Sequence, residues 1–428
     1  MPTTTSTFEY APPAVTPLAD GTATRVLPDA HLVFLVNFVA PNLLQVFRDI
    51  AKRCGRFTVV CSVPIEGNRQ WRPETEGLDV RNQRTWTITR TAHHPSGYRE
   101  PNYIHVPLDT LGQLRRLKPD AIISLELGAR TMFSAAYRTF KREVTHIAAV
   151  LASERSEAGR GGLRLAMRRS LIRRVDGLTF NGPSCKRYLM GLGAQEQKLS
   201  PWDYAADPRK AYAGPLKAEM GQPNPLRLLT VGQLSERKGV IQSLALLTEY
   251  ATKHPNQRLH WSLVGDGPLG QAIREATLPA NLTLSLEGHC EPQQIQQHYE
   301  SHHAMLFPTL GDEWGLVVNE SLASGLPVIG SCHSQAVETI VASEQNGFVF
   351  DPEQKASLAL ALDQFLSLSP SQRTTMKTVA RQSVQERTPA RSADQMIEAV
   401  YAAMLRRGFT PRTERRTLDT ASMEAVAP

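Results

Sequence analysis

The sequence predicts an α/β protein built from two doubly wound, Rossmann-like domains with a cleft between them. Three observations carry that prediction. The chain has 428 residues, room for two or three domains at about 150 residues each. Short β-like runs alternate with helical patterns along most of it, as in domains with parallel sheets. The alternation breaks once, at 201–225, where five prolines and little periodicity mark a linker, and then restarts.

In the first half, strands are expected at 31–37 (HLVFLVN), 57–63, 120–125, 146–151 and 176–180, with helices at 41–54, 129–142 and 161–174. In the second half, strands are expected at 227–232, 259–264, 282–287, 304–308, 327–330 and 347–350. Helices at 240–254, 268–276, 292–301, 316–325, 335–342 and 354–367 fit between them. The divisions that follow are a domain at 29–205, a linker at 206–225, a domain at 226–385 and a last helix at 386–406. Residues 1–28, rich in Thr, Pro and Ala, and 407–428, polar and dotted with Arg, are read as mobile tails. In folds of this class ligands bind at the carboxyl ends of the strands.

Composition narrows the function classes. Hydrophobic residues at 41%, charged residues at 21% and a mean hydropathy of -0.29 describe an ordinary globular protein. The longest apolar run, Leu32 to Ala40, is broken by Asn37 and falls short of the roughly 18 residues a membrane span needs. With no apolar export segment at the start, a cytoplasmic location is expected. Cys54, Cys61, Cys185, Cys290 and Cys332 form no C-x-x-C pair and are read as small buried hydrophobes. A net charge of +7 favours anionic partners, whether nucleotides, phospholipids or nucleic acids.

The segment 306–331 holds the most chemistry. A strand ends at Pro308, a loop carries Asp312 and Glu313, and Gly315 opens a helix closed by Gly325 and Pro327. That helix is apolar over Leu316, Val317, Val318 and Leu322, so Glu320 in its middle needs partners, either ligand hydroxyls or a structural cation. The N–H groups of Gly315, Leu316 and Val317 make an anion site at the positive end of the helix dipole. Carboxylates for hydroxyls and amides for a diphosphate suit a sugar nucleotide.

This run, Asp312-Glu313-Trp314-Gly315-Leu316-Val317-Val318-Asn319-Glu320, resembles the E-x-F-G-x-x-x-x-E signature of retaining glycosyltransferases of family 4, which have the two-domain GT-B fold. Aligning Gly315 and Glu320 puts Asp312 on the first acidic position. The resemblance implies that Asp312, with Glu313 beside it, contacts the donor sugar and Glu320 the ribose. The run Gly232-Gln233-Leu234-Ser235-Glu236-Arg237-Lys238-Gly239 resembles the family's G-R and K-G, with Lys238 on the phosphates and Gln233 where Arg is usual. Either Arg237 supplies the second charge or the phosphate grip is weaker. At a strand's carboxyl end such a cation would neutralise the leaving diphosphate.

Gly265-Asp266-Gly267-Pro268-Leu269-Gly270 fits G-x-G-x-x-G, and Glu287 lies 20 residues beyond Gly267, as a dinucleotide site would have it. Against that reading, the motif follows its domain's second strand and Pro268 lacks an N–H. The family shows a similar turn close to the nucleotide, which implies that Glu287 and Gly288 sit beside the base. Ser334-Gln335-Ala336-Val337-Glu338 and Asn346-Gly347 resemble the family's G-G-x-x-E and N-G, and 387–406 its last helix, which crosses back to the first domain.

The first half is the acceptor side in this fold. Where many relatives carry a His, this chain reads Ala152-Ser153-Glu154-Arg155, leaving Glu154 as the candidate. Asn37, ending the first strand, either touches donor phosphate or acceptor or caps the next turn. Arg160, Arg164, Arg168, Arg169, Arg173 and Arg174, interleaved with Leu and Ile, form either a basic face for the inner membrane surface or an ordinary solvated helix. No aromatic platform accompanies them, so nucleic acid is not expected. With no D-x-D motif and no spaced His, Cys or acid ligands, no metal cofactor is expected. The resulting expectation is a metal-free, retaining transferase that moves a sugar from a nucleotide-sugar donor to a glycan or lipid-linked glycan acceptor. The rivals are an NAD-dependent oxidoreductase using the 265–270 turn and a non-catalytic sugar-binding protein.

Overall fold

Leu32, Val33, Phe34, Leu35 and Val36 are all buried in unbroken succession, the mark of a strand covered on both faces, and they form the centre of the first sheet. The computed structural model describes residues 24–66 and 74–416. The first domain runs β1 (Thr24–Val36), α1 (Pro41–Ala51), β2 (Cys54–Cys61), β3 (Asp79–Asn82), β4 (Thr85–His93), β5 (Arg99–Pro107), α2 (Thr110–Leu117), β6 (Ala121–Leu125) and α3 (Ala129–Phe140). It continues with β7 (Thr145–Ala149), α4 (Gly162–Arg174), β8 (Gly177–Phe180), α5 (Pro183–Gly191) and β9 (Leu199–Pro201). Its parallel sheet has the order β3-β2-β1-β6-β7-β8-β9.

The second domain runs β10 (Leu226–Val231), α6 (Val240–Lys253), β11 (Leu259–Val264), α7 (Gly270–Arg274), β12 (Leu282–Gly288), α8 (Pro292–Ser301) and β13 (Ala304–Phe307). Then come α9 (Leu316–Ala323), β14 (Val328–Ser331), α10 (Gln335–Ile340), β15 (Gly347–Phe350), α11 (Lys355–Ser367) and α12 (Pro370–Gln382). Its six parallel strands have the order β12-β11-β10-β13-β14-β15. In both sheets the order reverses beside the first strand, at β1/β6 and β10/β13, and such a switch point opens a crevice at the strand ends.

The last helix, α13 (Pro389–Arg406), returns to the first domain. Its Met396, Ile397, Val400 and Met404 share one core with Leu32, Phe34 and Phe47. A short strand, β16 (Glu414–Arg416), pairs antiparallel with the start of β1, Thr24 opposite Arg416.

Both tail boundaries need correction. Residues 24–28 begin β1, because Val26 and Leu27 are buried there, and 414–416 lie on the sheet rather than in a tail. Of the predicted tails, residues 1–23 and 417–428 lie outside the described residues. The β4–β5 hairpin was not expected: it is an antiparallel pair whose β4 carries Thr at every other position, 85 to 91, and an exposed Trp86 between them, so it lacks a buried apolar face to reveal it. The cysteine reading holds for Cys61, Cys185 and Cys290, while Cys54 is half-buried and Cys332 is exposed.

Candidate functional site

Lys238 and Asp312 come from opposite sides of the β10/β13 switch point. After β10 the chain makes one short turn, 236–238, and Gly239, at φ 66, starts α6. A Cβ on Gly239 would lie 2.1 Å from the Pro308 carbonyl oxygen, so the loops that follow β10 and β13 touch backbone to backbone. That contact delivers Lys238 to Asp312: the Lys238 ammonium donates to Asp312 Oδ2, and Arg237 Nη1 stands 3.2 Å from Asp312 Oδ1. Burial works to raise the Asp312 carboxyl, but the two cations prevail and hold it below its ordinary range. Lys238 is lowered, first by burial and further by Arg237.

Arg237 is already engaged. It donates to Glu100 Oε2 at 2.7 Å and to the Gly311 carbonyl at 3.0 Å. Glu100 belongs to the β4–β5 hairpin, which also gives the Arg99 N–H to Glu236 at 2.8 Å. The first domain therefore reaches across the cleft and closes on this turn.

Gly315, at φ 105, begins α9; a Cβ there would lie 2.8 Å from the Phe307 ring. Leu316 and Val317 follow in the helix's first turn, where N–H groups have no intrahelical acceptor. Glu320 lies on the buried side of α9. It accepts from the Tyr299 hydroxyl at 3.0 Å, and Lys210 Nζ stands 3.8 Å away. Its carboxyl is raised by burial.

The glycine turn at 265–270 is spent largely on packing. The Gly265 N–H donates to the Gly288 carbonyl at 2.7 Å, and a Cβ on Gly265 or Gly267 would strike the Gly232 or Leu234 carbonyl oxygen at 2.2 or 2.3 Å. Gln233 and Glu287 are exposed at the ends of β10 and β12.

Residues 217–383 match the family described as glycosyl transferases group 1. The second domain is a group 1 glycosyl transferase domain. A sulfoquinovosyl transferase, SQD2, of Arabidopsis thaliana is 30% identical over 142 residues, 32% of this chain and 26% of that protein. The chain spans about a quarter to a half of the length of the curated relatives it matches. Among solved structures, the lipopolysaccharide outer core galactosyltransferase WaaB in its apo form aligns with a TM-score of 0.65 at 12% identity, covering 87% of this chain and 99% of that one. Anabaena Alr3699/HepE in complex with UDP and glucose aligns with a TM-score of 0.60 at 16% identity, over 87% and 100%. The two-domain architecture is the GT-B fold.

Opposite the group 1 domain, the first domain supplies a cleft wall. A cavity of about 600 Å³ between them is lined by Glu154, Arg155, Arg187, His333 and Glu338, among others. Glu154 accepts from Arg187 Nε at 2.8 Å, and Arg187 also reaches Glu338 at 2.7 Å. Gln335, in the run that resembles G-G-x-x-E, bonds both domains: it donates to the Leu151 and Glu313 carbonyls at 2.8 and 2.7 Å and accepts the Cys185 N–H at 2.9 Å. Asn37, just past the end of β1, accepts from the Arg130 guanidinium through its Oδ1.

Sequence reasoning missed three acids, Glu126, Glu157 and Glu100. Glu126, next after β6 and at φ 66, accepts the Leu151 N–H at 2.8 Å and is raised by burial. Glu157 gathers Arg164 and Arg168 at 3.0 and 2.7 Å. Glu313 is open to solvent at the cleft, yet the enclosing walls and then the Glu126 and Glu157 carboxylates push it up to about 8. The signal available was position: Glu126 directly follows a strand's carboxyl end. Glu100 carried no signal because its hairpin carried none.

Folding divides the arginines of α4. Arg164 and Arg168 serve Glu157 and Arg168 is buried, while Arg169, Arg173 and Arg174 are exposed. Among the described residues no helix is long and apolar enough to cross a membrane.

Proposed function

We propose that this chain transfers a glycosyl group, with retention of configuration, from a nucleoside-diphosphate sugar to a glycan or lipid-linked glycan acceptor. The observation that carries the reading is the Lys238–Asp312–Arg237 cluster at the β10/β13 switch point, beside the start of α9. WaaB acts in the lipopolysaccharide core by its name, and HepE holds UDP and glucose, which supports the donor and acceptor classes.

In this reading the diphosphate lies against the Leu316 and Val317 amides, and Lys238 leaves Asp312 in part to meet the charge that develops as the sugar–oxygen bond breaks. Asp312, freed, turns to donor hydroxyls, and Glu320 accepts from ribose hydroxyls with Tyr299 behind it. Gln233, Gly265, Gly267, Glu287 and Gly288 flank the nucleoside. The acceptor enters from the Glu154 side, and its hydroxyl proton passes to the leaving phosphate oxygen. No metal is assigned a part in this transfer. Exposed Arg169, Arg173 and Arg174 suit an anionic lipid surface near a lipid-linked acceptor, at the inner face of the membrane.

Thermal shift with a panel of nucleoside diphosphates, their sugars and NAD tests the donor class. A ligand at 100 times its Kd adds about 2.7 kcal/mol of stability. Stabilisation by one nucleoside diphosphate and not by NAD is expected, together with donor turnover that Glu320→Gln removes while the fold persists. Stabilisation by NAD alone overturns the reading.

A further inference from the structure

A second cluster of side chains stands at the same edge of the second sheet, and nothing in glycosyl transfer uses it. β14 and β15 run in parallel with Ser331 opposite Phe350. The next residues, Cys332 and Asp351, therefore leave the sheet side by side, and the Cys332 N–H donates to the Phe350 carbonyl at 2.9 Å. His333 follows. The Cys332 sulfur, a His333 ring nitrogen and an Asp351 carboxylate oxygen all lie within 4.8 Å of one another.

We propose that Cys332, His333 and Asp351 bind one divalent ion of the zinc class. A tetrahedral centre with bonds of about 2.0–2.3 Å sets its ligand atoms roughly 3.3–3.8 Å apart, so side-chain rotations that draw the cluster in by about 1 Å complete it. Thiolate, imidazole and carboxylate together select zinc or cobalt over magnesium or calcium, which take all-oxygen sites.

The independent observation is the imidazole. The His333 side chain is 1% exposed, and neither ring nitrogen has a hydrogen-bond partner. Buried polar groups are nearly always paired, and leaving one unpaired is costly. An ion pair does not remove the deficit: Nε2 is 3.6 Å from Asp351 and 3.9 Å from Glu353, beyond hydrogen-bond reach of either carboxylate. An unpartnered imidazole beside a thiol and a carboxylate is a ready ligand set for a metal ion.

Glu353 is taken by Arg155 at 3.2 Å, so it stands outside the first three ligands. Cys332 is exposed and faces the interdomain cavity with His333, which leaves a fourth position open. The ion would also brace the main chain behind Asp312, because the Asp312 N–H donates to the His333 carbonyl at 3.1 Å.

Cobalt(II) titration of the purified full chain tests this, with sulfur-to-cobalt charge-transfer absorption as the readout and zinc(II) as competitor. One equivalent of cobalt is expected to produce the band, zinc to erase it and magnesium to leave it. Cys332→Ser, at an exposed position, should abolish the band with the fold unchanged by circular dichroism, and His333→Ala should weaken binding by roughly tenfold or more. Cys290→Ser should retain it; Cys290 Sγ lies 3.9 Å from His298 and is the competing thiol. No band in the parent protein, a band that survives Cys332→Ser, or a band lost in Cys290→Ser overturns the proposal.

Discussion

Lys238 illustrates how one residue's environment sets its chemistry. An ammonium buried beside Arg237 sheds its charge more readily than one in water, and Asp312 counters that loss. The pair keeps a cation poised at the cleft until a polyanion competes for it. Lys238→Ala is expected to reduce kcat by roughly 10²–10³-fold. The fold should persist, since Arg237 still pairs with Asp312; steady-state turnover with circular dichroism checks both.

His146 gives a pH prediction at the same scale. It is fully buried, bonded to Ser124 at 2.9 Å, and burial pushes it down to about 3. The unfolded chain takes up this proton below about 6.5 and the folded chain does not, so stability falls as pH drops from 6.5 toward 3. By pH 5 the loss is about 2 kcal/mol. Denaturant melts at pH 7 and pH 5 should show that loss in the parent protein and a smaller one in His146→Gln.

Among elements, the β4–β5 hairpin has the largest effect on the site. It puts Glu100 on Arg237 and narrows the cleft from the first domain. Glu100→Gln frees a guanidinium and removes a negative charge near the diphosphate position, two effects of the same sign. Tighter nucleoside-diphosphate binding by about 2–5-fold is expected by calorimetry, the range for a half-exposed ion pair. The turn into α6 allows a steric contrast. Gly239→Ala drives a Cβ into the Pro308 carbonyl, whereas Gly97→Ala, at φ 85 on the hairpin tip, meets nothing within 4 Å. Thermal melts should show Gly239→Ala clearly the more destabilising.

At the scale of the whole molecule, α13 and Gln335 bind the halves together. Ile397 comes from the chain's last helix but is buried in the first domain's core. Ile397→Ala should cost about 2–5 kcal/mol and should act on the first domain, read by hydrogen exchange in β1 and β6. Gln335→Ala removes bonds to Leu151 and Cys185 across the cleft. A larger radius of gyration by small-angle scattering is expected, with each domain still folded.

Much of the fold was legible in the sequence because a parallel strand buried on both faces, such as Leu32 to Val36, is an apolar run that needs no partner to be recognised. The run from Asp312 to Glu320 was legible for a similar reason: strand end, acidic loop, glycine and helix are all local. The hairpin, Glu126 and Glu157 were not: Glu100 acts across the cleft on Arg237, and Glu126 and Glu157 meet the Leu151 N–H and the α4 arginines only once the first domain has folded. The arginines of α4 looked unopposed along the chain, and folding brought Glu157 to two of them.

The sequence by itself determined the two doubly wound halves and which loop holds the acids, because hydrophobic periodicity and glycine placement act over a few residues. Only the tertiary structure decided that Asp312 is shared between Lys238 and Arg237, that Glu320 is backed by Tyr299, and that His333 meets Cys332 and Asp351. Those pairings depend on the order and register of strands distant along the chain, fixed when the sheet assembles around a common core.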